Sequence, residues 1–158
     1  MVTDADTENL GMSTIISIVN FRTPELTLDC LQSLSQEIKD LPGVKVVVSD
    51  NNSSDHSVEH ISQGIAQNHW QEWVIFMPLP RNGGFAYGNN EIIRSVLQTG
   101  HKPDYVLLLN PDTIVRPGAI SSLIQFMDQN KHVGIAGSRL EDPDGTPQRS
   151  AFRFHSMF

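Results

Sequence analysis

Residues 14–19 read TIISIV, and the chain turns polar at once, through Asn20, Phe21 and Arg22, before reaching Thr23, Pro24 and Glu25. The β-branched run predicts a buried strand. Thr23 followed by Pro24 predicts a helix start, because the fixed φ of proline suits the first helical position. Leu26, Cys30, Leu34 and Ile38 then recur at helical spacing and mark the expected buried stripe.

This unit of strand, polar turn and helix recurs along the chain. Residues 44–49 (VKVVVS), 73–77 (WVIFM) and 105–109 (YVLLL) predict three more strands, and residues 133–136 (VGIA) a short fifth. Val58, Ile61 and Ile65 mark a second helix. Residues 84–97 predict a third, with Ile92, Ile93, Val96 and Leu97 on its buried side. Ile120, Leu123, Ile124 and Met127 predict a fourth. Such alternation implies an α/β fold, a mostly parallel central sheet flanked by helices on both faces. Strands that are apolar throughout imply burial on both sides. Ligands of these sheets bind beyond the carboxyl ends of the strands. Attention therefore falls on residues 20–22, 50–55, 81–90 and 110–113.

The 158 residues make one domain's worth of chain, with ordinary apolar and charged content. Residues 1–12 are polar and acidic and are expected to form a disordered tail, with the folded domain over residues 13–158. No stretch has the length and apolarity of a membrane helix or the pattern of a signal peptide. Cys30 is the only cysteine, so no internal disulfide forms, and a reducing, cytoplasmic compartment fits best. A net charge of -7 argues against nucleic acid as a partner.

Four segments in order, SIVNFRTPELTLDCLQSL, VVVSDNNSSD, RNGGFAYGNN and YVLLLNPDT, each place small polar residues after a strand. Together they resemble glycosyltransferase family 2, with its Rossmann-like GT-A fold, and most closely its rhamnosyltransferase-like branch. The similarity runs from about Thr14 to Phe154. It implies a nucleotide-diphosphate sugar, dTDP- or UDP-linked, as donor and a saccharide or lipid-linked acceptor. It also implies inversion at the anomeric carbon and a divalent metal, Mg²⁺ or Mn²⁺. The donor contacts would come from Asn20, Arg22, Asp50, Asn82, Gly83, Gly84, Asn89, Asn110 and Asp112.

Each residue has its own chemistry beside that resemblance. A carboxylate at Asp50 suits the imide N–H of uracil or thymine, although guanine also presents N–H donors. Its local alternative is an Asx-turn or a helix cap, a task that Asp55 is better placed to perform. Asn110-Pro111-Asp112 stands where the fold has an Asp-x-Asp motif, which leaves Asp112 as the metal ligand. Its local alternative is a proline turn. Gly83, Gly84 and Gly88 lack dinucleotide-fingerprint spacing and are read as backbone passing close to a diphosphate. Asn82 and Asn89 suit either hydroxyl contacts or local caps. Phe85 is read as packing, and His56 with His60 as a solvated helix face. Arg149 and Arg153 suit a phosphate or a solvated pair equally.

No catalytic base is recognisable. In this family it lies further along the chain, and Glu141, Asp142 and Asp144 sit in turn-forming sequence. The expected domain is therefore the donor-binding part, incomplete toward its C-terminus. The full enzyme would work in the cytoplasm or at the membrane surface, and the isolated part could self-associate. Two rivals remain: a non-catalytic nucleotide-binding domain, and a sugar nucleotidyltransferase. The latter ordinarily carries a Gly-rich basic loop after the first strand, where this chain has Asn20-Phe21-Arg22.

Overall fold

The computed structural model describes residues 13–100 and 102–149. Strands β1 (Thr14–Asn20), β2 (Val44–Asp50), β3 (Val74–Pro78) and β4 (Tyr105–Leu109) alternate with helices α1 (Pro24–Ile38), α2 (Ser57–Gln67), α3 (Gly84–Gln98) and α4 (Ala119–Gln129). All strand pairs are parallel, in the order β3-β2-β1-β4. The register aligns their carboxyl ends. Asn20 lies opposite Asp50, Asp50 opposite Pro78, and Ile18 opposite Leu109. Because β2 and β4 flank β1 on opposite sides, the winding reverses at β1, where such sheets open a ligand crevice. The chain divides into two compact units, Met1–Gly118 and Ala119–Phe158. The first holds the whole sheet with α1, α2 and α3.

Side chains alternate across a strand, so each face of the sheet has its own core. Ile15 and Val47 pack with Ile92 and Val96 of α3. Ile16, Ile18, Val46 and Val48 point the other way and are fully buried. On that side α1 contacts β1, α2 contacts β3, and the two helices pack together. Gly64 of α2 makes that contact possible, since a Cβ there would lie 2.4 Å from Leu28 Cδ2.

Gly88 plays the same part for α3. A Cβ at this position would lie 2.7 and 2.9 Å from the two methyls of Val19 and 3.3 Å from Ser49 Oγ. Val19 is stiff about χ1 and cannot swing clear. Gly88→Ala is expected to destabilise the chain by about 1–3 kcal/mol through overpacking. Urea unfolding measures this, and an unchanged midpoint would mean that α3 slides off the sheet at no cost.

The structure corrects several expectations. Residues 133–136 form no strand, and Ile135 is 92% exposed. The run is short, contains Gly134 and is followed by Gly137, which weaken a strand, and it has no ladder partner among the described residues. The buried stripe of α1 is Thr27, Cys30, Leu31 and Leu34, with Leu26 exposed. A hydrogen bond from Thr27 to Asn20 turns the helix that way. Ile92 and Val96 of α3 are buried, but Leu97 is exposed. β4 is not buried on both faces, since Val106 and Leu108 are 40% and 49% exposed. Among the described residues β4 is an edge strand, with β1 as its neighbour. The expected acidic tail lies outside the described residues.

Candidate functional site

The ends of β1 and β2 are tied by one buried polar knot. Asn20 is fully buried, and its Nδ2 donates to Asp50 Oδ1 at 2.7 Å. Its Oδ1 accepts from Thr23 N and Oγ1, both at 3.2 Å, and from Thr27 Oγ1 at 3.0 Å. Asp50 is 1% exposed. Its Oδ1 also accepts from Ser53 Oγ at 2.6 Å, and its Oδ2 accepts from Ser53 N at 3.0 Å. Asp50 therefore does close a local turn. Ser53 in turn accepts from Arg22 N through Oγ, at 2.9 Å, and from Arg22 Nε through its carbonyl, at 3.0 Å. Asp55 accepts from Ser57 N at the start of α2, at 2.8 Å, and its bonding with the Ser57 hydroxyl and then with that N–H holds its carboxyl below the usual range.

The backbone around this knot is strained. Arg22, Asn52 and Ser54 have φ of 59°, 54° and 55°, in the left-handed region. For residues other than glycine each costs about 1 kcal/mol or more, and such outliers gather at functional sites. The Arg22 guanidinium lies 5.1 Å from the centre of the Phe21 ring.

The third segment is held to the second by Asn51, which is 2% exposed. Its Nδ2 donates to Asn82 Oδ1 at 2.9 Å and to the Gly84 carbonyl at 3.2 Å, and its Oδ1 accepts from Gly83 N at 3.3 Å. Asn82 Oδ1 also accepts from Gly84 N at 2.9 Å. Glycine is required at Gly83 because the Tyr87 ring covers it; a Cβ would lie 2.3 Å from Tyr87 Cγ. Arg81 stacks on that ring, 4.3 Å from its centre. Gly84, at the start of α3, has φ of 82° and open space where a Cβ would be. Gly88 instead makes room for Val19. Asn89 is 4% exposed and works inside the fold. It accepts from Ser17 Oγ at 2.6 Å and donates to the Phe85 carbonyl at 2.9 Å. Phe85, expected to pack, is 52% exposed on the outer side of the first turn of α3.

Beyond β4, Asn110 and Asp112 are both exposed. The Asn110 carbonyl accepts from Thr113 N at 3.3 Å and from Thr113 Oγ1, closing the proline turn around Asp112. Among the described residues no three His, Cys, Asp or Glu side chains gather into a metal cage. One outward carboxylate suits a cation that takes its other ligands from phosphate and water, as Mg²⁺ does, and does not suit zinc. Cys30 Sγ donates to the Asn110 carbonyl at 3.8 Å. Burial pushes this thiol up to about 12, helped by the nearby Asp112 charge and opposed by a hydrogen bond with Thr113. At pH 8 the thiolate fraction is then on the order of 10⁻⁴, and the thiolate is the nucleophile. Cys30 is expected to resist iodoacetamide in the native chain and to react readily in urea. Mass spectrometry decides, and labelling at similar rates in both would contradict the burial.

The acidic segment near the C-terminus is a turn, as its sequence implies. Asp142 N donates to the Thr146 carbonyl and Gly145 N to the Asp142 carbonyl, both at 2.8 Å. Asp144 accepts from Thr146 N at 2.9 Å, which holds its carboxyl below the usual range. Glu141 pairs with Arg139 at 3.0 Å. Arg153 lies outside the described residues. The roles that sequence reading missed belong to Asn51 and Ser53. Ser53 had a signal, a hydroxyl three residues after a strand-end Asp, the pattern of a side-chain-closed turn. Asn51 had none beyond its place in a polar run.

A parallel sheet with its polar loops at the carboxyl edge of a winding reversal defines the open α/β class, and its solved neighbours are GT-A glycosyltransferases. The chain belongs to glycosyl transferase family 2, whose family model matches residues 13–156. It is 28% identical over 123 residues to the N-acetylglucosaminyl-diphospho-decaprenol L-rhamnosyltransferase of Mycobacterium tuberculosis, across 72% of this chain and 37% of that protein. A mannosyltransferase from Pyrobaculum calidifontis, solved with GDP-Man and Mn²⁺, superposes with a TM-score of 0.63 at 14% identity, over 73% of this chain and 32% of that one. Residues 1-349 of S. aureus TarS, solved with UDP-GlcNAc, give 0.60 at 18% identity, over 76% and 32%. This chain thus spans about a third of the length of these relatives.

Proposed function

We propose that the chain binds a nucleoside diphosphate sugar, UDP- or dTDP-linked, across the carboxyl edge of its sheet. In that reading it serves metal-dependent, inverting transfer of the sugar to a saccharide or lipid-linked acceptor. The observation that carries it is the state of Asp50. A carboxylate has about four acceptor sites, and three here are taken by Asn20 and Ser53. The remaining site, on Oδ2, takes one N–H. Uracil and thymine present one imide N–H, whereas guanine presents two adjacent donors. Arg22 and the start of α3 at Gly84 are the groups suited to the diphosphate. Asn20, Asn82 and Asn89 serve by holding those loops in place.

Asp112, with Asn110 beside it, would hold Mg²⁺ or Mn²⁺, which supplies charge neutralisation for a leaving diphosphate. The rhamnosyltransferase name describes a lipid-linked acceptor, which supports that acceptor class and rhamnose as the sugar. Among the described residues no helix is long and apolar enough to cross a membrane. Cytoplasmic work at the membrane surface suits a lipid-linked acceptor. Self-association through the exposed β4 edge belongs to the same reading, and light scattering would test it. The engagement of Asp142, Asp144 and Glu141 in a turn favours a second reading, a binding domain without turnover.

Calorimetry tests the donor site. UDP is expected to bind roughly 10- to 100-fold more tightly with Mn²⁺ than with EDTA, the worth of charged hydrogen-bond partners. Asp112→Ala should match the EDTA value whether or not metal is present. Equal affinity in all conditions would remove the metal role, and GDP binding as tightly as UDP would remove Asp50 from base recognition.

A further inference from the structure

We propose that α1 is the element that positions the Asp112 turn, through Cys30, Ser33 and Glu37. This rests on Asp112 as the metal-bearing residue. The three lie at i, i+3 and i+7, one stripe of the helix. Each holds a different point of the segment that leaves β4. Cys30 Sγ donates to the Asn110 carbonyl at 3.8 Å. Ser33 Oγ accepts from Val115 N at 3.0 Å. Glu37 Oε1 accepts from Gly118 N. Residues 113–116 have no regular secondary structure, so the segment depends on such anchors. It also runs compressed. Cys30 to Glu37 spans about 10 Å of helix, far less than the extended reach of residues 110–118.

The same helix holds the other half of the site. Thr27, three residues before Cys30, donates from Oγ1 to Asn20 Oδ1 at 3.0 Å, and Asn20 binds Asp50. One rigid element thus meets both the Asp50 knot and the Asp112 turn, which come from different strands. It sets their spacing, and spacing decides whether a base at Asp50 and a metal at Asp112 can share one ligand. Ser33 and Glu37 are positioning residues in this arrangement and touch no ligand.

The test uses UDP and Mn²⁺ as probes, with calorimetry and with electron paramagnetic resonance of the bound ion. Ser33→Ala/Glu37→Ala is expected to lower the Mn²⁺-linked gain in UDP affinity about tenfold, the worth of one neutral hydrogen bond and one to a carboxylate. UDP affinity in EDTA should stay within about twofold, because the Asp50 knot is intact. Glu37→Gln, which keeps an acceptor oxygen, should restore most of the loss its alanine counterpart suffers. If the double variant fails to fold by circular dichroism, Ser33→Ala alone carries the test with about a threefold loss. A variant that keeps the full Mn²⁺-linked gain overturns the proposal. So does one that loses affinity equally with and without metal, as a merely structural role would. A wild-type chain with no Mn²⁺-linked gain overturns the donor-site reading as well. A gain abolished by Asp112→Ala yet retained in the Ser33 and Glu37 variants overturns this proposal alone.

Discussion

Asn20→Asp is expected to be the most damaging single isosteric change in the sheet, costing about 3–5 kcal/mol at pH 7, the scale of a broken buried ionic contact. The Asn20 amide is the donor that meets the buried Asp50 carboxylate at 2.7 Å. Aspartate has the same shape but no donor, and it sets a second carboxylate in that place. Two carboxylates sharing a site raise the pKa of one of them. A raised folded-state pKa stabilises below the unfolded value and is lost as pH rises. The variant should therefore regain stability as pH falls from 7 toward about 5. The lowered carboxyls of Asp55 and Asp144 act in the opposite sense, but only near and below their ordinary value of 3.8, so they leave this window clear. Asn20→Ala removes the donor without adding charge and should cost about 2–4 kcal/mol with little pH dependence. Urea unfolding at pH 7 and pH 5 separates these. An Asn20→Asp chain as stable as wild type at pH 7 would mean that the knot is not the junction between β1 and β2.

The sheet was legible because its strands are apolar runs bounded by turn residues, a signal that depends on few neighbours. β4 was found at its exact limits, Tyr105–Leu109. What failed depends on position in the sheet. The run at residues 133–136 has strand composition but no partner among the described residues, and Val106 and Leu108 look buried until β4 is placed at the edge of the described sheet. At the site, the polar segments were legible as segments, while the division of labour within them was not. Asn20, Asn82 and Asn89 read as contact residues, and the structure adds that their hydrogen bonds bind loop to loop and helix to strand. An amide in a polar loop looks the same in sequence whether it faces a ligand or a neighbouring backbone. Cys30 read only as part of a buried stripe, and Ser33 and Glu37 carried no signal, since their spacing is common to any helix and the partners of all three lie some eighty residues away.

The 158-residue chain on its own is expected to bind a donor and to transfer no sugar at an appreciable rate. In the proposed reading every group assigned a task, Asp50, Arg22, Gly84, Asn110 and Asp112, would serve the donor. The acids that remain near the C-terminus are committed elsewhere. Asp142 and Asp144 close a turn, Gln148 donates to Asp142 Oδ1 at 2.5 Å, and Glu141 faces Arg139. A base works best with a pKa near the working pH, and Asp144 is moved away from it. Absence of a positioned base costs roughly 10²- to 10⁴-fold in rate. An acceptor that is not held in place adds several kcal/mol more, on the order of a further thousandfold. What is left is slow hydrolysis of the donor by water. Mass spectrometry of the chain with Mn²⁺, dTDP-rhamnose or UDP-sugars, and polyprenyl-diphosphate or saccharide acceptors reads the outcome directly. Metal-dependent multiple turnover to a glycosylated acceptor would overturn the expectation. It would also point to Asp142, Asp144 or Glu141 as a base that leaves its turn when substrate binds, and Asp142→Asn, Asp144→Asn and Glu141→Gln would then identify which.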